Sequence, residues 1–197
     1  SFMQSGYTLA GSPLTLAGDA TLRATLATET RIDSQISGTS GLTLEGGGTV
    51  FLTNSANDFT GGIRINNGTL VVTDVGALGA DTGLIDINGS SPRSLGAGSL
   101  VLDASAGPIN VTREIDIRGR GPLADRGTTL ITYGDVTLSS AAALETQNGF
   151  TNTRTTAVEG TLSITSDIDN SGGAAITFAS FGGINDVSAG NYSFTGA

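Results

Sequence analysis

The chain has 197 residues, a net charge of −9 and only 14% charged residues, and its nine basic residues are all arginine. It contains no histidine, cysteine, lysine or tryptophan, which removes Ser–His and Cys–His catalysis, lysine nucleophiles, disulfides and thiolate or imidazole metal sites. The acidic balance, without a basic stripe, excludes nucleic acid as a partner and disfavours anionic lipid or heparin-like polymers.

Thirty glycines and many Thr and Ser resemble low complexity, but Leu, Ile and Val recur in strand-like pairs throughout, which a disordered chain does not maintain. Residues 6–30 place Leu14/Leu16 and Leu22 between Gly–Ser–Pro and Gly–Asp turns. The threonine content favours strands there over a helix at Asp19–Thr28. Ile32, Ile36 and Leu42/Leu44 follow. From Gly46 to Gly79 the pairs Val50/Leu52, Ile63/Ile65 and Leu70/Val72 alternate with Gly, Asn, Asp, Ser and Thr clusters. Alternation at period two sends one side of each strand inward, and Asn and Gly supply the turns. Strands this short cannot bury a core alone and need stacked neighbours, as in a solenoid.

The rhythm continues through Ile85/Ile87, Leu100/Leu102, Ile109/Val111, Ile115/Ile117 and Val136/Leu138. Pro92, Pro108 and Pro122 fall in the predicted turns, as strand ladders require. Residues 145–160 form the longest polar interruption, a protruding loop or two ragged turns, before Leu162/Ile164, Ile168 and Ile176/Phe178. The order Ile36–turn–Leu42/Leu44 matches Ile168–turn–Ile176/Phe178, a weak internal repeat. Leu42, Ile63 and Ile85 stand about one turn apart, as do Val50 and Leu70, a period of roughly twenty residues. That period predicts about nine or ten turns and a rod on the order of 45 Å long at the interstrand spacing.

The central stretch resembles the autotransporter-associated β-strand repeat of bacterial type V secretion passengers. The resemblance rests on Gly46, Gly48–Thr49, Leu52, Asn57, Phe59–Thr60–Gly61–Gly62–Ile63, Ile65, Gly68–Thr69–Leu70 and Ala77–Leu78–Gly79. It implies an all-β fold, a right-handed parallel β-helix, secretion and a cell-surface location. Such passengers normally carry a leader before them and an outer-membrane β-barrel after them. The opening SFMQSGYTL lacks a basic, hydrophobic leader, so residues 1–197 read as one β-helix fragment of a longer passenger, tied to a membrane only through a missing C-terminal barrel. Lack of cysteine agrees with the unfolded export that the resemblance implies.

Few groups could carry chemistry. Glu114 and Asp116 share a strand face, alternating with Ile115 and Ile117, and Asp86 could stack beside them. Carboxylates grouped on adjacent turns would suit glycan cleavage, but alternation reads them as solvent-facing positions. Asp167–Gly172 opens like a calcium loop, yet its twelfth place is Phe178 where Glu belongs. The glycine pairs precede no helix and meet no lysine, so they are turns and not phosphate loops. Thr153/Thr155 do not recur in register as an ice-binding ladder would. Asn54, Asn57, Asn66 and Asn67 suit ladders that satisfy turn backbone.

The expected function is that of a stalk or adhesin in attachment or aggregation, non-enzymatic, with no cofactor and no metal. The alternative is a carbohydrate-active β-helix, or the scaffold of an enzymatic domain elsewhere in the parent chain. Partners are a host or bacterial surface protein or glycan, or another copy of the chain. Exposure and local charge nominate the turns 118–126 and 147–154, through Arg118, Arg120, Arg126, Asn152 and Arg154.

Overall fold

A computed structural model describes residues 1–18, 20–80, 82–88, 98–118, 129–139, 142–143, 153–157, 161–164, 168–169, 176–180 and 191–194. Side chains are described as far as Ser139, except at 88, 117, 118 and 129, and again at Leu162 and Ser163. Strands are short because each alternating pair soon meets a glycine or polar turn. The first coil holds β1 (Tyr7–Leu9), β2 (Leu14–Leu16) and β3 (Ala20–Arg23), and the second holds β4 (Glu29–Ile32), β5 (Ile36–Gly38) and β6 (Leu42–Glu45). Then come β7 (Thr49–Leu52), β8 (Ile63–Ile65), β9 (Gly68–Val72), a 3₁₀ turn at Val75–Leu78, β10 (Ile85–Asn88), β11 (Gly98–Val111), β12 (Ile115–Arg118) and β13 (Thr129–Leu138). The later strands are β14 (Ala142–Ala143), β15 (Thr153–Ala157), β16 (Thr161–Ile164), β17 (Ile168–Asp169), β18 (Ile176–Ser180) and β19 (Asn191–Phe194).

Each strand pairs in parallel with the strand one coil away. The long sheet runs β1-β4-β7-β9-β11-β13-β15-β18, the second β17-β14-β12-β10-β8-β6-β3, and a short third side begins with β2-β5. This three-sided coil is a parallel β-helix, as the alternating pairs and the repeat led one to expect. Leu42, Ile63 and Ile85 are register partners, and so are Val50 and Leu70, so the inferred period follows from the stacking of equivalent strands. β3 occupies the stretch where a helix was weighed.

Stacking builds the core. Ile32, Leu52, Val72 and Leu102 form one inward column, and Val50, Leu70, Leu100 and Leu130 another, all at most 1% exposed. Ile63, Ile65, Ile85, Ile87 and Ile115 close it from the second sheet. Phe59, fully buried, fills the third side with Ala77 and Leu78. The outward column Arg31, Phe51, Val71, Val101 and Ile131 runs along the long sheet.

Four expectations change. Leu100/Leu102 and Ile109/Val111 belong to one strand, β11, and not to two strands parted by a turn. Its register against β13 shifts between Ala104 and Ile109, so residues 105–108 bulge outward, exposed. Pro108 is therefore within a strand, where a bulge spares it a ladder bond. Second, Thr153–Ala157, within the predicted polar interruption, is strand β15, paired with β13 and β18; threonine suits a strand with little apolar content. Third, the likeness of Ile36–Leu42 to Ile168–Ile176 is not a structural repeat. Ile168 lies on β17 of the second sheet, in the column of Leu42, whereas Ile36 lies on the third side. Fourth, Asn54 and Asn57 bond backbone groups on neighbouring coils and not another asparagine. Asn57 accepts from Ile36 N at 2.8 Å and donates Nδ2 to Ala77 O at 2.8 Å, and Asn54 donates to Asp33 O at 2.8 Å. They tie backbone to backbone across coils.

Candidate functional site

On the second sheet, residues between the inward isoleucines point outward, and stacking lines them up. Thr43, Arg64, Asp86 and Asp116 are consecutive register partners on β6, β8, β10 and β12. Arg64 Nε donates to Asp86 Oδ2 at 3.0 Å, its side chain 59% exposed against 7% for the aspartate. Asp86 Oδ1 is buried and meets no hydrogen-bond donor among the described residues. Asp116, one rung on, is 2% exposed. The expected stacking of Asp86 beside Asp116 is present, but both are buried, which corrects the reading of solvent-facing carboxylates. Only Glu114 is exposed, and it precedes β12. Outward residues in a closely stacked sheet are shielded by the rungs on either side, an effect that alternation alone omits.

The column just before these strands explains a hollow beside Arg64. Leu42 N donates to Gly62 O at 2.9 Å, Ile63 N to Leu84 O at 2.9 Å and Ile85 N to Glu114 O at 3.0 Å. Gly41 and Gly62 are required there: a Cβ would sit 2.7 Å from Gly62 O on the first and 2.6 Å from Leu84 O on the second. Two bare positions followed by a leucine leave a cavity of about 380 Å³, bordered by Gly41, Thr43, Gly62, Arg64, Leu84 and Asp86. A second hollow, about 230 Å³, lies over the long sheet near Tyr7, Arg31 and Phe51. Arg31 Nε donates to Asp33 Oδ1 at 2.6 Å, and Thr53 Oγ1 donates to the same oxygen. The Thr53 hydroxyl above all, with help from Arg31, holds the Asp33 carboxyl below the usual carboxylate range against the opposing effect of desolvation.

Of the nominated contact residues, Arg118 ends β12 in register with Asn88, and Arg154 lies on β15 in register with Thr129. Arg154 is thus on a strand and not in a turn; the side chains of both lie outside the described residues. Arg120, Arg126 and Asn152, like the Asp167–Gly172 segment apart from the backbone of Ile168–Asp169, lie outside them too. The repeat residues are placed clearly. Leu52, Phe59, Ile63, Ile65, Leu70 and Leu78 are core, and Asn57 bridges coils. Gly48, Gly61, Gly62, Gly68 and Gly79 lie where a Cβ would meet neighbouring atoms under 3 Å away. Arg64 escaped attention in the sequence. The signal was there: Ile63–Arg64–Ile65 and Ile85–Asp86–Ile87 lie one period apart, which puts Arg64 beside Asp86.

Residues 42–72 match the family described as Passenger-associated-transport-repeat. Over 97 residues, 49% of this chain, the sequence is 40% identical to a protein of Brucella suis biovar 1 (strain 1330) named "Adhesin BmaC autotransporter". The chain spans only about 3% of that relative's length. No solved structure matches. A parallel β-helix bearing this repeat resembles the autotransporter passenger class. Within that class, the particular likeness is to a segment of an autotransporter adhesin.

Proposed function

We propose that this β-helix is a surface-displayed, adhesin-like passenger segment, acting as stalk or contact surface in attachment or aggregation. The observation that carries the reading is the 40% identity to an autotransporter adhesin across half the chain, on a coil whose residues 42–72 match the passenger repeat. A stacked ladder suits this work because it extends coil by coil without disulfides. Location at the bacterial surface, through an outer-membrane anchor elsewhere in the parent protein, belongs to the same proposal. The reading is non-enzymatic: the paired carboxylates that could cleave glycans are 5% and 2% exposed.

The test is binding of the purified chain to host cells, matrix proteins and glycans. Saturable binding is expected, and the triple variant R118A/R120A/R126A is expected to weaken it while the circular dichroism stays unchanged. A well-folded chain that binds nothing would refute the contact role and leave a passive stalk. Unaltered binding by the triple variant would refute those three arginines as the contact.

A further inference from the structure

We infer that the hollow beside Arg64 is a binding site for a neutral, hydroxyl-rich glycan unit, which rests on the adhesive reading and gives its contact a place. At about 380 Å³ it falls in the size range of small-ligand pockets. Its wall combines a fixed cation with an apolar surface. Asp86 holds Arg64 through Nε, and among the described residues the two terminal Nη groups meet no acceptor. They form a donor fork pre-set by a buried carboxylate, at little cost in side-chain entropy on binding. Thr43, half-buried, adds a hydroxyl on the preceding rung, and Leu84, 37% exposed, offers an apolar wall. Donor fork, hydroxyl and aliphatic wall together match the hydroxyls and C–H face of a sugar ring.

Charge and topology decide against other ligands. Arg64 and Asp86 cancel, and Asp116 stands on the next rung, so an anionic ligand gains little. A cation would meet the Arg64 guanidinium 3.0 Å from the same carboxylate. An extended peptide would need a free strand edge, but β6, β8 and β10 are each paired on both sides. The glycan has to come to a closed sheet face and use side chains alone, which is what this hollow provides.

The experiment measures calorimetric titration of the whole chain with neutral galactosyl, mannosyl and N-acetylglucosaminyl oligosaccharides and their sialylated counterparts. The variants are Arg64→Ala and Arg31→Ala, with cell attachment measured in parallel. We expect at least one neutral sugar to bind, no gain from sialylation, and about tenfold or greater weakening in R64A, the loss of charge-assisted hydrogen bonds. R31A, which removes an equally exposed arginine on another sheet, should bind like the parent. R31A should unfold near the parent midpoint, since both partners of that pair are exposed. R64A leaves the buried Asp86 carboxylate without its described partner and should lower the midpoint. The double variant R64A/D86N, which removes the buried charge as well, is therefore titrated beside it, and all binding is measured below the unfolding transitions. No sugar binding by a folded chain, or sugar binding that R64A leaves intact, overturns the inference. So does a calcium-dependent rise in melting temperature that Asp86→Asn abolishes, with no sugar bound. Cell attachment that persists with R64A and on deglycosylated cells removes the hollow and keeps the adhesin reading. Sugar binding without cell attachment does the reverse.

Discussion

Asn57→Ala should be among the most damaging single changes away from the apolar core. The side chain is 6% exposed and joins three coils: it takes the Ile36 N–H on one side and gives Nδ2–H to Ala77 O on the other, both at 2.8 Å. Alanine leaves a donor and an acceptor buried without partners. Each such group costs about 1–3 kcal/mol, so the two together predict a loss of about 2–5 kcal/mol. With an m-value of about 2–3 kcal/mol/M in urea, the midpoint should fall by about 1–2 M. Amide exchange at Ile36 should accelerate as well, which separates loss of this bond from a diffuse weakening. Asn57→Asp gives a sharper check. One carboxylate oxygen still accepts from Ile36, but the other faces a carbonyl unless it is protonated. The folded state therefore favours the protonated form, raising that carboxyl's pKa, and the variant should regain stability as pH falls below it. An N57A midpoint within about 0.3 M of the parent, a loss below about 1 kcal/mol, would refute the reasoning. An N57D variant whose deficit relative to the parent fails to shrink as pH falls would do so too.

Three further outcomes follow from the same stacking. Phe59→Ala empties a fully buried aromatic site on the third side and should cost about 3–5 kcal/mol by urea unfolding. Gly79→Ala places a Cβ 2.7 Å from the Phe59 carbonyl oxygen and 2.8 Å from its ring on a backbone at φ +87°; it should cost more than about 1 kcal/mol from conformation alone, and adding F59A should relieve the ring clash but neither the carbonyl clash nor that strain, a partial non-additivity seen in a double-mutant cycle. Asp33, held below its ordinary range by Thr53 and Arg31, contributes stability above its unfolded-state pKa and loses it as pH falls through the folded value; Asp33→Asn should flatten the decline in urea midpoint between about pH 5 and pH 2, and an unchanged slope would refute the assignment.

Much of the fold was legible because a solenoid writes its contacts into its period. Leu42, Ile63 and Ile85 could be aligned on the page, and each alignment is a register pair. The bulge in β11 was not legible, because Ala–Ser–Ala–Gly–Pro is written the same way whether the chain turns a corner or bulges out of a sheet. Nor was the phase of the later coils: Ile168 and Ile36 share a local pattern but occupy different sides, and local pattern carries no information about side. The site was half legible. Asp86 beside Asp116 could be seen, but their burial could not, since exposure of an outward residue depends on the rungs above and below it.

The hollow shows why function in such a coil is hard to find by looking for the repeat. A perfect repeat presents the same side chain on every rung, and a uniform ladder has no concavity to hold a small ligand. Here the column before the second sheet changes from Gly41 and Gly62 to Leu84 and Glu114, and the column beside it from Thr43 to Arg64 to Asp86 and Asp116. The glycines are demanded by close backbone stacking, so that part of the shape is a by-product of folding. The Arg64–Asp86 pair is not demanded in the same way, because Thr43 and Thr21 fill the same column without charge. A charged pair with its anion buried costs desolvation that an apolar or threonine rung would avoid. Its position beside a hollow that the stacking already leaves is therefore the part of this surface that folding alone does not account for.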